Sequence, residues 1–416
     1  MNRQRLSRNQ KWLVHGSRLC VLALTGLGLF LVTPGVSVAQ QKIPATTTSD
    51  APAAKSDWAG SHSLLDSRTR FRVGGFLELD LVYDSDAIGA PCQFITATIP
   101  TSGGGGTGSQ GNACINTSRL TVETRTPTTT GQFKTFISGD LFGDALSTSP
   151  SPRLRQAYGE FQGSVLGGDL LLGQAWGTYV DLEAWPDILD FEGPGSAIAV
   201  RQDMIRWSRG ITDGVDLQLA LEQPGEGSVQ GATMLNNFPD LIGTMKWSLA
   251  AGYLRVGGIL RDIRIRDNTG RVDDSVGWGV SGSGNLKFNE SSNFVFEVSY
   301  GEGVGAYYND GPPNGVFDPV TLSYKNLPLL GYYLGLEHNW SKTLNSTLLY
   351  SAIKVDNLGL EPDNAFSKSD YSSVNLIWRP VHRLMFGIEY LHGKRQDKNG
   401  AKGSDNRILL SSRVSF

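Results

Sequence analysis

The sequence predicts an all-β protein, a transmembrane antiparallel up-and-down β-barrel of about 16 strands with one loop folded inward as a constriction. Three observations lead there. The chain opens with an export signal, short alternating segments fill it from residue 71 onward, and the links between them alternate between short and long.

Arg3, Arg5, Arg8, Lys11 and Arg18 flank or precede a nearly unbroken apolar run over 19–32, followed by Pro34 and by small Ser37 and Ala39 around Val38. This pattern reads as a secretory signal peptide, residues 1–39, cut before Gln40. The apolar run is too short to cross ~30 Å of hydrocarbon. Cys20 lies inside it, which argues against a lipid-anchored cysteine. Removing five basic residues moves the formal net charge from −3 to −8, so bulk electrostatics exclude nucleic acid as a partner. Cys92 and Cys114 remain, and an exported pair predicts one disulfide. The chain has no Cys-x-x-Cys pair, so no zinc ribbon or redox motif is supported, and no metal or cofactor is expected.

Residues 40–70 are rich in Ala, Thr, Ser and Pro and read as a flexible periplasmic leader. The barrel domain is assigned to 71–416. In its first segment, 71–84, Val73, Leu77, Leu79 and Leu81 share one face and Arg72, Glu78 and Asp80 the other. In 117–126, Leu120 and Val122 oppose Arg119, Glu123 and Arg125. Further segments follow at 132–141, 153–163, 168–176, 198–209, 214–223, 240–249, 251–265, 276–288, 293–301, 328–340, 343–355, 371–379, 383–392 and 406–416. Successive side chains of a strand point to opposite faces, so each segment suits lipid outside and water inside. No later run approaches the length of an apolar helix, and a closed barrel is then the way such a chain satisfies its backbone in lipid. The last segment ends on Phe416, read as the signal for the barrel assembly machinery, and its strand is expected to close the barrel against the first.

Tight links at 127–131, 164–167, 210–213, 250, 289–292, 341–342 and 380–382 alternate with long ones at 85–116, 142–152, 177–197, 224–239, 266–275, 302–327, 356–370 and 393–405. Outer-membrane barrels sort periplasmic turns from extracellular loops in this way. Trp176, Trp207, Trp247, Tyr300, Trp340, Trp378 and Tyr390 lie near segment ends, as interface aromatics do. Gly277, Gly279, Gly282 and Gly284 inside one segment predict close packing, with a neighbouring subunit as one candidate.

The segments carry most arginines and the long links many acids. A mid-depth Arg or Lys facing lipid costs ~2–4 kcal/mol, so the strand arginines are expected to face an electropositive lumen. The link 177–197 combines Asp181, Glu183, Asp187, Asp190 and Glu192 with Tyr179, Trp185, Pro186 and Phe191. That mixture predicts a loop folded onto the wall with its carboxylates aimed into the opening, opposed by Arg153, Arg155 and Arg206 across a transverse field.

The run Arg153-Leu154-Arg155-Gln156-Ala157-Tyr158-Gly159-Glu160-Phe161, with Leu172-Gly173-Gln174-Ala175-Trp176 and Val200-Arg201-Gln202-Asp203-Met204-Ile205-Arg206-Trp207, resembles the DcaP-like trimeric outer-membrane porins of Gram-negative bacteria. The resemblance implies sixteen strands, a homotrimer, an inward loop after the fifth strand, and passive uptake biased towards small anions such as dicarboxylates. It carries Arg153, Arg155 and Arg206 over as wall arginines, with Arg201 beside them; Arg119 joins them on its polar face. The long first loop with its cysteine pair and the Thr- and Pro-rich leader depart from relatives that carry a longer coiled-coil leader.

The resulting expectation is a passive diffusion channel in a Gram-negative outer membrane, surrounded by lipid and lipopolysaccharide, and not an enzyme. Two alternatives compete. An outer-membrane enzyme would need a glycosidase-like acid pair, for which Asp187 and Asp190 are the available types, or a phospholipase serine and histidine. His62, His338, His382 and His392 lie in no Gly-x-Ser-x-Gly context. The 301–305 glycine run lacks the spacing of a dinucleotide loop. A non-conducting adhesion barrel would have little use for lumen arginines or for a loop like 177–197.

Overall fold

The computed structural model describes residues 58–64, 68–101, 108–225, 227–235 and 238–416. The signal peptide and the leader up to residue 57 lie outside the described residues. Sixteen long strands follow in order: β1 (Arg70–Asp84), β2 (Arg119–Thr128), β3 (Gly131–Asp140), β4 (Arg153–Val165), β5 (Gly168–Trp176), β6 (Arg201–Thr212), β7 (Val215–Glu222), β8 (Asp240–Leu249), β9 (Gly252–Asp267), β10 (Val272–Asn289), β11 (Ser292–Glu302), β12 (Pro328–Asn339), β13 (Leu344–Val355), β14 (Phe366–Val381), β15 (Leu384–Asp397) and β16 (Lys402–Ser415). Each pairs antiparallel with the next. β1 pairs with β2 over its first half, from Arg70 opposite Arg125 to Phe76 opposite Arg119. On its other edge it pairs with β16, from Phe76 opposite Ser415 to Asp84 opposite Arg407. That seam closes the barrel. The Phe416 amide donates to the Gly75 carbonyl at 3.0 Å.

Burial runs inside out, as the alternation requires. On β1, Val73, Leu77, Leu79, Leu81 and Tyr83 are exposed while Glu78, Asp80 and Asp84 are buried. The same holds on β12, where Leu330, Leu334 and Leu336 are exposed. An apolar belt around a polar interior is the arrangement lipid demands.

The seven tight turns stand where the sequence placed them, but three long links shrink. β9 and β10 extend until only 268–271 connects them, β15 and β16 until only 398–401 does, and the link before β14 contracts to 356–365. Their polar ends read as loops, yet the backbones continue to pair, from Arg264 opposite Asp274 to Arg266 opposite Val272 in one hairpin. Only the outward residues of the β9 end are polar; Ile263 and Ile265 point inward and pack on Val229 and Tyr324 of the neighbouring links. The first loop shortens likewise, because Gln110–Cys114 pairs with the upper half of β1. Cys92 and Cys114 are joined by a disulfide that ties this loop to that strand.

Three links turn into the barrel. The 177–200 link runs across to the far wall, where Tyr179 packs against Gly257 of β9 and Gly279 of β10, and Leu189 against Gly387 of β15. A Cβ at Gly387 would lie 2.6 Å from a Leu189 methyl. Gly257, Gly279 and Gly387 therefore make room for the loop on the inner face, whereas Gly282 and Gly284 stand in the outward register of exposed Val276 and Val280. The 303–327 link packs on it through the Tyr308–Ile198 bridge and the Ala199 amide to the Tyr307 carbonyl, 2.9 Å. Phe94 and Ile99 of the first loop complete the plug, with the Phe94 amide donating to Asp190 Oδ1 at 3.0 Å.

Candidate functional site

The loop acids anchor the plug to the wall. Asp181 accepts from the Tyr253 hydroxyl at 3.0 Å and the Ser283 hydroxyl at 2.6 Å. Glu183 pairs with Lys246 at 2.5 Å. Asp187 takes Arg379 at 2.9 Å and the Asn345 amide at 2.8 Å. Asp190 is enclosed, accepting from Phe94, Gly193 and Tyr371. Burial pushes its pKa up, against the pull of Arg407. Four of the five loop carboxylates expected to be aimed into the opening are thus taken up by hydrogen bonds or ion pairs, although Glu183 and Asp187 stay exposed while paired. A charge folded against a wall is stable where it finds a donor, and the far wall supplies donors at each of these four positions.

Glu192 is the exception. Its carboxylate forms no hydrogen bond or ion pair among the described residues, while its carbonyl accepts from Asn309 at 2.6 Å. Burial, then Asp190 and Asp310, push its pKa up to about 8, opposed by Arg153 and Arg201. It is the loop acid electrostatically coupled to the wall arginines.

Those arginines gather around one buried carboxylate, Asp140, at the upper end of β3. Arg153 grips it with two bonds, Nε to Oδ1 at 2.9 Å and Nη2 to Oδ2 at 2.7 Å. Arg155 donates Nη1 to Oδ2 at 2.5 Å. Arg119 stands opposite Asp140 in the β2–β3 register. Arg201 lies on the Trp176 ring at 4.7 Å and has no ion pair among the described residues. Aromatic faces hold these planar groups. Phe191 carries Arg153 at 5.7 Å and Arg155 at 5.2 Å, Phe76 carries Arg119 at 5.4 Å and Arg413 at 4.3 Å, and Trp176 carries Arg155 at 5.6 Å. Four guanidinium groups against one carboxylate leave a positive surplus, and the buried Nε atoms of Arg119 and Arg155 meet no acceptor among the described residues.

Arg206 is placed elsewhere. It donates to the Trp176 carbonyl at 3.2 Å and borders a cavity of about 450 Å³ on the periplasmic side of the loop, with Lys246 and Arg255. Nor is the lumen positive throughout. Arg407 is buried in a two-bond pair with Asp84, Arg413 pairs with Glu78, Arg261 with Asp240 and Lys134 with Glu160. The strand acids share the inner face with the strand bases and offset these four, whereas the patch around Asp140 keeps a surplus. Trp176 belongs to that patch and not to an interface girdle, whereas Trp340 and Trp378 are exposed beside tight turns. Asp140, Phe76 and Phe142, whose ring lies 5.7 Å from the Arg153 guanidinium, escaped the sequence reading; the signal for Asp140 was a carboxylate at a strand end facing Arg119 and Arg153 across two ladders.

The DcaP outer membrane protein family profile matches residues 54–416. Among solved structures, the outer membrane channel DcaP of Acinetobacter baumannii superposes with a TM-score of 0.75 at 22% identity, covering 84% of this chain and 98% of that one. An anion-selective porin from Comamonas acidovorans follows at a TM-score of 0.57 and 11% identity, covering 84% and 100%. OmpT of Vibrio cholerae, in its trimer form, reaches 0.55 at 10% identity, covering 84% and 100%. No curated protein sequence matches the chain.

Proposed function

This chain belongs to the DcaP outer membrane protein family, and from that premise we propose that it is a passive diffusion channel for small hydrophilic solutes, favouring anions such as dicarboxylates, and not an enzyme. The observation that carries the reading is the surplus of Arg119, Arg153, Arg155 and Arg201 over Asp140, facing a plug whose acids are mostly bound to the opposite wall. Permeation needs binding strong enough to draw an anion in and weak enough to release it. Guanidinium groups already engaged by Asp140 and by aromatic faces meet both conditions, since each retains free donors without presenting a bare charge.

A homotrimer embedded in lipid and lipopolysaccharide, inserted through the barrel assembly machinery by way of Phe416, fits the exposed apolar belt and the closing strand. The constriction residues are Arg119, Arg153, Arg155 and Arg201 on the wall and Glu192 on the loop, with Arg206 below them. Planar-bilayer recording of the purified protein tests the reading. Discrete conductance steps and a reversal potential of anionic sign in a salt gradient are expected; absence of steps refutes the channel, and a cationic sign refutes the selectivity.

A further inference from the structure

A second cluster of arginines lies at the other end of the same wall. Arg72 of β1 and Arg125 of β2 project from the lumen-facing positions of their strands, shared with buried Glu78 and Glu123. Arg125 is six positions along β2 from Arg119, so it lies ~20 Å away along the strand and, with a tilt of ~40°, ~15 Å nearer the periplasm. The ring of Trp58 lies against both guanidinium groups, 4.3 Å from that of Arg125 and 5.1 Å from that of Arg72. Glu123 pairs with both, at 2.6 Å and 3.6 Å, which leaves one positive charge in the triple. Lys134, the cross-strand neighbour of Arg125, is matched by Glu160.

The segment that bears Trp58 is fastened. His62–Ser63 adds to β1 with His62 opposite Phe71 and Ser63 opposite Arg70. Arg70 donates Nε to the Ser61 hydroxyl and Nη2 to the Ser61 carbonyl, both at 2.7 Å. The Ser61 hydroxyl returns to the Trp58 carbonyl at 2.7 Å. The chain preceding the barrel is thereby folded back so that an indole enters the lumen beside its periplasmic exit. A ring on the face of a guanidinium fixes its plane and leaves its in-plane N–H donors free for a carboxylate or other oxyanion.

We propose that Trp58 organises Arg72 and Arg125 into a second anion-recognition point at the periplasmic exit, so that an oxyanion leaving the constriction meets another specific station before release. The inference rests on the channel reading. Two weak stations in series favour transit, because each need hold the ion only briefly.

The test uses the full-length channel in oriented bilayers carrying chloride current, with sulfate added to one side at a time. Sulfate on the periplasmic side is expected to block the wild type. Trp58→Ala and Arg125→Gln are expected to weaken that block roughly fivefold, with the block from the extracellular side unchanged and Trp58→Phe within roughly twofold of the wild type. Heat-modifiable migration on gels verifies that each variant is a folded barrel, and Trp58→Phe retains a ring if Trp58→Ala does not fold. Conducting wild-type channels without periplasmic block overturn the station. An unchanged block in Trp58→Ala, or an equal loss from both sides, overturns the role of Trp58. Absence of any wild-type conductance refutes the channel reading instead.

Discussion

Arg201 offers the sharpest test of the constriction. Its neighbours Arg153 and Arg155 are held by Asp140, whereas among the described residues Arg201 is held by the Trp176 face at 4.7 Å and has no ion pair. Replacing it by glutamine removes one charge from a patch whose formal count is four arginines to one carboxylate, and leaves no buried partner unpaired. The cost to the fold is the lost stacking, ~0.5–1 kcal/mol. The effect on a passing ion is larger. A unit charge ~4 Å away contributes ~1 kcal/mol at the dielectric of water and ~4 kcal/mol at an effective value near 20. Since ~1.4 kcal/mol is a factor of ten, occupancy of the constriction by an anion should fall at least ~5-fold. The assay is the reversal potential in a tenfold potassium chloride gradient, recorded beside wild type and Arg206→Gln, whose charge sits below the constriction. Arg201→Gln should move the potential towards the cationic side by more than Arg206→Gln does. An unchanged potential, or a larger effect of Arg206→Gln, would refute the placement of the surplus around Asp140.

If the proposed constriction selects anions, Glu192 should make that selectivity depend on pH. With its pKa pushed up to about 8 by burial, Asp190 and Asp310, it is neutral below that pH and adds a negative charge beside Arg153 and Arg201 above it. Anion preference should fall between pH 7 and 9, and Glu192→Gln should flatten the profile; a flat wild-type profile would count against this coupling. Gly387→Val should displace Leu189, whose methyl already lies 2.6 Å from where a Cβ would stand, and loosen the loop. Conductance should rise and its noise increase, and a wild-type trace would show that the loop does not depend on this contact. Arg407→Ala strips the partner from buried Asp84 across the β1–β16 seam, where the pair is 2.6 Å apart. A loss of ~3–5 kcal/mol is expected, read as a lower temperature for the gel-mobility shift of the folded barrel, and no shift would mean that the seam relies on its ladder alone.

The sixteen strands and their tight turns were legible because alternation and turn residues are local signals, and lipid on one face with water on the other enforces a period of two. The strand ends around Arg266 and Lys394 were not, because above the membrane their outward residues turn polar, and beside Arg266 the buried Ile263 and Ile265 are covered only by links brought in by the fold. Within the candidate site, the arginines could be found on polar faces, but their separation into two groups could not. Arg153 and Arg155 meet Asp140 only through the β3–β4 ladder and its register shift, whereas Arg206 turns to the cavity below Trp176. The acids of the 177–200 link show the same limit. Their abundance signalled an inward loop, but which of them would find a partner depended on Tyr253, Lys246, Arg379 and Tyr371, contributed by strands 63 to 192 residues away. The sequence by itself determined the barrel, its polar lumen and the loop that enters it, since each follows from side-chain period and composition. Only the tertiary structure decided where net charge remains, because neutralisation is a matter of ångströms between strands brought together by barrel closure.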